Sequence, residues 1–174
     1  MTSPAPFIVT AELPGDVRAW ADGLRRAHFP PERNWLVAHV TLFHAFAPSL
    51  REELHAVLRR FAAQNARPEA EITGLMNLGR GTALAIRSPG MVAIREAIAD
   101  HFHGALTAQD SHAIRLHITI QNKVTPEAAR ALQAELGPRL KPRAFRFTGL
   151  GLHLYRNPTW EPVHNFAFTG RENG

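Results

Sequence analysis

The chain has 174 residues, of which 45% are hydrophobic, and a formal net charge of +5 at pH 7. This length predicts one domain with a substantial core, and no apolar run reaches the roughly 18 to 20 residues that span a bilayer. The chain contains no cysteine, which excludes disulfides, thiolate catalysis and thiolate-bound metal, and we expect a cytoplasmic protein without a secretory signal.

The positive charge comes almost entirely from arginine. Of the 20 basic residues only Lys123 and Lys141 are lysines. The planar guanidinium pairs with phosphate through two hydrogen bonds, so this bias is compatible with a polyanionic partner. A GC-rich coding sequence produces the same excess of Ala, Arg and Pro, and the bias alone therefore does not predict nucleic-acid binding.

The first half of the chain alternates predicted strands and helices. Apolar periodicity and Pro-containing breaks predict strand 7–13, helix 17–27, strand 35–46 and helix 50–64. The spacing in the first helix turns Val17, Trp20, Ala21 and Leu24 inward. It places Arg18, Arg25 and Arg26 mostly on the opposite, solvent-facing side.

The second half opens with two strand-like runs, 69–78 and 82–87, whose Gly79-Arg80-Gly81 junction predicts a hairpin. A helix over 89–103, a strand over 114–124 and a helix capped by Thr125 follow. Two long strands, 141–155 and 160–169, close the chain, and Gly149 and Gly151 predict a β-bulge in the first of them. This order predicts an α+β fold, with largely antiparallel sheets, in one domain over residues 1–174.

Two short segments carry the chemistry of this sequence: His39-Val40-Thr41-Leu42 and His117-Ile118-Thr119-Ile120. Each alternates polar and apolar residues, so a half-buried strand presents its His and Thr on one face and its apolar residues to a core. We call them the first motif and the second motif. They lie 78 residues apart (39 to 117) in a chain of 174, which indicates an internal duplication.

Two imidazoles facing each other across a cleft can supply one general base and one general acid, and two neighbouring hydroxyls can hold an anionic group between them. The pair of motifs therefore predicts cleavage of a phosphodiester. A strand that is merely polar on its solvent side explains the alternation equally well, but it does not explain why the motif occurs twice.

The strand of the second motif is polar along one whole face. Alternate positions carry two cations, an imidazole, a hydroxyl and an amide: Arg115, His117, Thr119, Gln121 and Lys123. A cation at the first or the last of these positions can support a bound phosphate. In the first motif the corresponding face continues with Phe43, which we expect to pack rather than to stack on a base.

On these two motifs, the chain resembles the 2H phosphoesterase superfamily, whose signature is a pair of His-x-Thr/Ser motifs at a similar separation. Its bacterial 2′-5′ RNA ligase-like branch, which includes RNA 2′,3′-cyclic phosphodiesterases, is the most similar. The likeness extends from the strand near Phe7 to the hairpin through Leu154-Tyr155. It implies two lobes related by a pseudo-twofold axis, mostly antiparallel sheets, outer helices, a central cleft, and no metal or other cofactor.

The resemblance implies that His39 and His117 are the catalytic pair and that Thr41 and Thr119 bind the phosphate. Family precedent implies that His39 protonates the leaving ribose oxygen and that His117 deprotonates the attacking water. The sequence itself does not fix this direction, and the roles exchange in the reverse reaction.

Arg115, Lys123 and Tyr155 are further candidates for contacts with the substrate. The expected substrate is an RNA end or a small nucleotide with a cyclic phosphate, and we expect a monomer that needs no membrane or protein partner. Three alternatives stay open: a module that binds nucleotides or RNA without turnover, the same chemistry on a small cyclic phosphate such as an ADP-ribose derivative, and ligation by reversal.

Overall fold

The computed structural model describes residues 4–172, and within them lie eight strands and four α-helices. In chain order they are β1 (Phe7–Glu12), α1 (Gly15–His28), β2 (Val40–Phe46), α2 (Arg51–Gln64), β3 (Glu69–Asn77), β4 (Thr82–Arg87), α3 (Pro89–His101), β5 (His117–Gln121), α4 (Pro126–Leu136), β6 (Arg143–Arg146), β7 (Gly149–Tyr155) and β8 (Trp160–Ala167). None of these helices is both long and apolar enough to cross a bilayer.

The strands form two four-stranded sheets with the same internal arrangement. The first sheet has the order β2-β1-β7-β8 and the second β5-β4-β3-β6, and every neighbouring pair is antiparallel. In each sheet a strand–helix–strand unit, β1-α1-β2 or β4-α3-β5, places its second strand at the edge. The two edge strands, β2 and β5, lie against each other. The predicted α+β fold with two related lobes is confirmed.

The helices cross between the lobes. Helix α1 leaves the first sheet and packs against β5 of the second sheet. Helix α4 contacts β3 and β4 of the same second sheet. Helix α3 contacts β3 of its own sheet and also reaches β2, where the guanidinium of Arg95 lies over the ring of Phe43. Phe102, directly after α3, packs against Phe46 of β2. Because each lobe is covered by a helix that begins in the other, the two lobes share one continuous apolar core.

Two buried arginines satisfy backbone carbonyls of the edge strands. Arg25 of α1 is 3% exposed and donates through Nη1 to the carbonyl oxygen of Thr119 on β5 (2.7 Å). Arg95 of α3 is also 3% exposed and donates through Nε to the carbonyl oxygen of Leu42 on β2 (3.3 Å). A buried backbone carbonyl without a hydrogen-bond donor destabilises the folded state. At these sheet edges no further strand supplies a donor, and the two arginines supply it instead.

The prediction that Arg25 faces solvent is therefore wrong. Arg25 follows Val17 and Ala21 at intervals of four residues, so it lies on the buried stripe of α1, which contacts β5 at the edge of the second sheet. The Nε of Arg25 donates to the side-chain oxygen of Asn34 (3.1 Å), and its guanidinium lies over the ring of Phe29.

Three predicted boundaries also differ from the structure. The strand predicted over 35–46 begins only at Val40, because residues 35–38 form a loop, and β5 covers only part of 114–124. The segment 141–155 is not one strand: β6 belongs to the second sheet and β7 to the first. The chain crosses between the sheets where Phe147 donates its amide to Pro68 and Thr148 donates to Glu12.

The predicted β-bulge at Gly149 and Gly151 is wrong as well. The β1–β7 ladder is regular from Phe7 opposite Leu154 to Glu12 opposite Gly149. Gly151 is needed for a close approach instead, because a Cβ there would come within 3.0 Å of side-chain oxygens of Glu12 and Thr10. The β3–β4 hairpin and the Thr125 cap, whose hydroxyl accepts from the Ala128 amide, are both confirmed.

Replacing Arg25 by Met should lower the free energy of unfolding by about 2 kcal/mol or more, because a hydrogen bond from a charged donor contributes about 1.5–3 kcal/mol and its loss leaves a buried acceptor unpaired. Arg26→Met, on the exposed neighbour, is the matched control and should change stability by less than about 0.5 kcal/mol. Urea denaturation followed by circular dichroism measures both, and equally small changes would contradict this role of Arg25.

Candidate active site

The first motif lies at the start of the edge strand β2. His39 directly precedes the strand and Thr41 is its second residue, and both are half-buried, whereas Val40 and Leu42 are fully buried in the core. Thr41 lies opposite Thr10 of β1. The alternation predicted for this segment is confirmed, so the imidazole and the hydroxyl share the face that is not in the core.

The second motif occupies the equivalent place in the other lobe. His117 and Thr119 on β5 are half-buried and lie opposite Ala85 and Ala83 of β4, while Ile118 is fully buried. Strands β2 and β5 lie against each other, and a charge on His117 reaches far enough to lower the pKa of His39. The fold thus brings the two motifs to one place between the lobes.

Both imidazoles are held by the same contact. Nδ1 of His39 donates to the carbonyl oxygen of Val37 (2.7 Å), and Nδ1 of His117 donates to the carbonyl oxygen of Arg115 (2.7 Å). A carbonyl oxygen only accepts, so each ring carries its hydrogen on Nδ1 and leaves Nε2 for proton transfer. No pattern of residue types marks this shared anchor, because it uses backbone oxygens.

The surroundings of His39 disfavour its charged form. Burial lowers the pKa of His39 from 6.5 to about 4, in spite of the hydrogen bond to Val37, and the positive charges of Arg25, His153 and His117 lower it further. His39 is therefore neutral at pH 7 in the ligand-free protein. A bound anion would counter these charges and raise this pKa.

Beside His39, a chain of three polar side chains connects β1 and β7. The hydroxyl of Thr10 donates to Oε1 of Glu12 (2.8 Å), and Nε2 of His153 lies 3.0 Å from the Thr10 oxygen. Because a hydroxyl has one hydrogen, His153 must donate to Thr10 through Nε2. Sequence reasoning missed these residues, although polar side chains within otherwise apolar strands were a usable signal.

A cavity of about 310 Å³ opens next to this chain. Trp160 of β8 forms one wall, with its ring 4.5 Å from the His39 ring and 5.6 Å from the His153 ring, centroid to centroid. Trp35, from the loop before the first motif, lines the cavity too, as does Arg18 of α1. His39 therefore belongs both to the motif pair and to a cavity whose walls are largely aromatic and apolar.

The structure does not bring every predicted residue into contact with the motifs. Arg115 is exposed and contributes its carbonyl, and Lys123 is exposed after the end of β5, with a left-handed backbone (φ 60°). The hydroxyl of Tyr155 donates to Asn157 at the tip of the β7–β8 hairpin (3.0 Å). Gln121 is buried and accepts from Thr82 (2.9 Å), so it does not share the site face.

Phe43 packs in the core, as predicted, because a register irregularity between β1 and β2 turns it away from His39 and Thr41. Among the residues that the structure describes, no three His, Asp or Glu side chains are grouped so that they could hold a metal ion.

The molecule has two lobes, each built on an antiparallel sheet, and the edge strand of each sheet brings a His-x-Thr motif to one site. This arrangement defines the class of two-histidine phosphoesterases. A family model agrees: residues 13–159 match the 2′-5′ RNA ligase superfamily, and the chain belongs to that family of 2H phosphoesterases. Among curated protein sequences, none matches the chain significantly.

Solved structures share the fold over nearly the whole chain. TT0787 of Thermus thermophilus is 17% identical, with a TM-score of 0.69 over 96% of this chain and 100% of that chain. E. coli LigT complexed with NADP+ is 19% identical (TM-score 0.62), and E. coli LigT complexed with 3′-AMP is 19% identical (TM-score 0.57), each covering 96% of this chain and 99% of LigT. At these identities the matches establish the fold.

In the ligand-free protein, the Cε1–H resonance of His39 should titrate near pH 4, below the ordinary value of 6.5, because its site is desolvated and surrounded by positive charge. Adding inorganic phosphate should raise the midpoint, since an anion between the two motifs stabilises the imidazolium. Proton–carbon NMR measures both titrations, and His39→Gln assigns the resonance. A ligand-free midpoint near pH 6.5 would contradict this description of the site.

Proposed function

We propose that this protein is a phosphodiesterase that opens 2′,3′-cyclic phosphate ends of RNA or of nucleotides by two-histidine acid/base catalysis, without a metal. The observation that carries this proposal is the pair of matched imidazoles. His39 and His117 come from equivalent edge strands, each beside a threonine, and each has its Nδ1 bound to a backbone carbonyl and its Nε2 free.

The substrate phosphate lies between the hydroxyls of Thr41 and Thr119, which donate to its non-bridging oxygens. Water attacks phosphorus in line with the departing ribose oxygen, and Nε2 of His117 accepts a proton from that water. The bond from phosphorus to the ribose oxygen breaks, and Nε2 of His39 donates a proton to this oxygen. The products are a phosphate monoester and a free ribose hydroxyl. His117 then releases its extra proton to solvent, and His39 takes up a proton when the next substrate binds.

Because the pKa of His39 is low in the free protein, His39 can act as the proton donor only after the substrate has bound. The cyclic phosphate carries one negative charge, and that charge offsets the repulsion from the cations around His39, so protonation of His39 is coupled to binding. An imidazolium with a low intrinsic pKa is also a strong acid towards the leaving oxygen. Coupling in this way keeps the proton donor uncharged until the substrate is in place.

Three exposed residues extend this site in the proposal. Arg115 precedes His117 by two positions and Lys123 follows β5, and we assign both to phosphates of the substrate. Tyr155, on the same face of β7 as His153, is assigned to a more distant part of the substrate, since residues two apart on a strand share a face. These contacts require only that the three exposed side chains can turn toward the bound RNA or nucleotide.

The matched structures support a nucleotide substrate. E. coli LigT, which shares this fold, is found with NADP+, ATP, 3′-AMP or phosphate bound. We therefore include small nucleotides with a cyclic phosphate, along with RNA ends, in the proposed substrate class.

Wild-type protein in EDTA should convert a 2′,3′-cyclic mononucleotide into a single monoester, and His39→Ala or His117→Ala should each lower the rate by about 10²- to 10⁴-fold, the usual contribution of a general acid or base. Phosphorus NMR measures the rates and shows which bond is cleaved. His112→Ala, an exposed histidine in the loop before β5, is the control and should match wild type. Rates within threefold of wild type for both active-site variants would refute the mechanism.

A substrate with an activated leaving group should separate the two roles. On a p-nitrophenyl ester of a 2′-deoxynucleoside 3′-phosphate, which has no 2′-hydroxyl to attack in place of water, His39→Ala should keep most of the wild-type rate, because p-nitrophenolate leaves without a proton. His117→Ala should remain about 10²-fold or more impaired, because the water must still be deprotonated. Release of p-nitrophenolate is followed by absorbance, and the reverse pattern would contradict the proposed direction.

A further inference from the structure

The cavity beside His39 is larger than the two-histidine mechanism requires. Its volume of about 310 Å³ falls within the range of roughly 300–1,000 Å³ that is typical of small-molecule sites. The phosphate of the proposed substrate lies between the two motifs, and neither threonine of the motifs lines this cavity. A second part of the substrate therefore has room next to the reacting phosphate.

The walls of the cavity suit a flat aromatic ring. Trp160 and Trp35 both line it, and the Trp35 side chain is 59% exposed. Val37, two residues further along the same loop, is 62% exposed. Large apolar side chains exposed at the rim of a cleft mark a binding site, and nucleobases stack on such indole faces.

The polar end of the cavity offers an acceptor. Oε1 of Glu12 accepts the Thr10 hydroxyl, and His153 donates to Thr10, so both of these partners are already engaged. Oε2 of Glu12 makes no hydrogen bond within residues 4–172, and Glu12 lines the cavity. Interactions with His153 and Thr10 lower the pKa of Glu12 although burial raises it, so the carboxylate is ionised and accepts only.

Given the proposed function, we infer that this cavity binds the base of the nucleotide whose cyclic phosphate lies between the motifs, and that Glu12 selects bases with an exocyclic amino group over uracil. The amino group of adenine, cytosine or guanine donates to Oε2 of Glu12, while the ring stacks on Trp35 or Trp160. Uracil has no amino group, and the one donor on its pairing edge, N3–H, is flanked by two carbonyl oxygens that the carboxylate repels.

The geometry of a nucleotide is consistent with this assignment. Base and cyclic phosphate are attached to the same ribose, so their two sites must adjoin, and His39 lines the cavity and also belongs to the first motif. The Glu12 carboxylate is fixed by Thr10 and His153 rather than free to turn away. A fixed acceptor that is left unpaired or faces another acceptor discriminates more strongly than a mobile one.

Tryptophan fluorescence tests the inference without any turnover. Of the three tryptophans, Trp20 lies on α1 beneath the guanidinium of Arg143, outside the cavity, so Trp20→Phe leaves Trp35 and Trp160 as reporters. In that background 3′-AMP should quench the emission and bind about tenfold more tightly than 3′-UMP. Inorganic phosphate should bind without a comparable quench, which separates the base from the phosphate.

Two further variants make the test specific. Trp35→Leu should weaken 3′-AMP binding about tenfold, because it removes a stacking face. Glu12→Gln should bring the affinities for 3′-AMP and 3′-UMP within about twofold of each other, because the amide can donate to a uracil carbonyl as well as accept. Circular dichroism of each variant checks that the fold is retained.

The outcomes separate this inference from the proposed function. Equal affinity for 3′-AMP, 3′-UMP and phosphate, with no tryptophan quench, overturns the base site even if cyclic nucleotides are hydrolysed. Quenching that prefers 3′-AMP and that Glu12→Gln abolishes supports the base site even if no cyclic nucleotide is turned over. Preference for 3′-AMP that Glu12→Gln leaves unchanged overturns the role of Glu12.

Discussion

The arrangement of the whole molecule depends on how two sheet edges are satisfied. Each motif lies on the last strand of its sheet, where backbone carbonyls have no neighbouring strand. Arg25 and Arg95 donate to those carbonyls from helices that begin in the opposite lobe. The same hydrogen bonds that satisfy the edges therefore also join the lobes, so core elements hold the two edge strands that carry the motifs next to each other.

The two halves are alike in topology and different in chemistry. On the first sheet, Thr10 of β1 lies between Thr41 and Gly151, and the small glycine leaves room for the chain of polar side chains that ends at His153. On the second sheet, the equivalent position is Ala83, between Thr119 and Met76. The matched motifs explain how acid and base come to lie close together, and the unmatched neighbours on β1 and β7 belong to the aromatic cavity that His39 lines.

The fold class and the two motifs could be predicted from the sequence because both depend on local patterns, namely alternation along a strand and turns marked by glycine or proline. Contacts between residues that are far apart in the sequence could not be predicted in this way. The burial of Arg25 depends on which sheet α1 packs against, and the contact of Thr10 and Glu12 with His153 exists only because β1 pairs with β7. The change of sheet at Phe147 is likewise fixed by partners at Pro68 and Glu12.

The anchoring of both imidazoles by carbonyl oxygens two residues earlier has a consequence for how this site can vary among related chains. The orientation of each ring is set by the backbone path, not by a dedicated side chain, so positions 37 and 115 are free to carry an apolar residue in one half and a cation in the other. The surface around the reacting groups can thus diversify for new substrates while the proton-transferring atoms stay where they are.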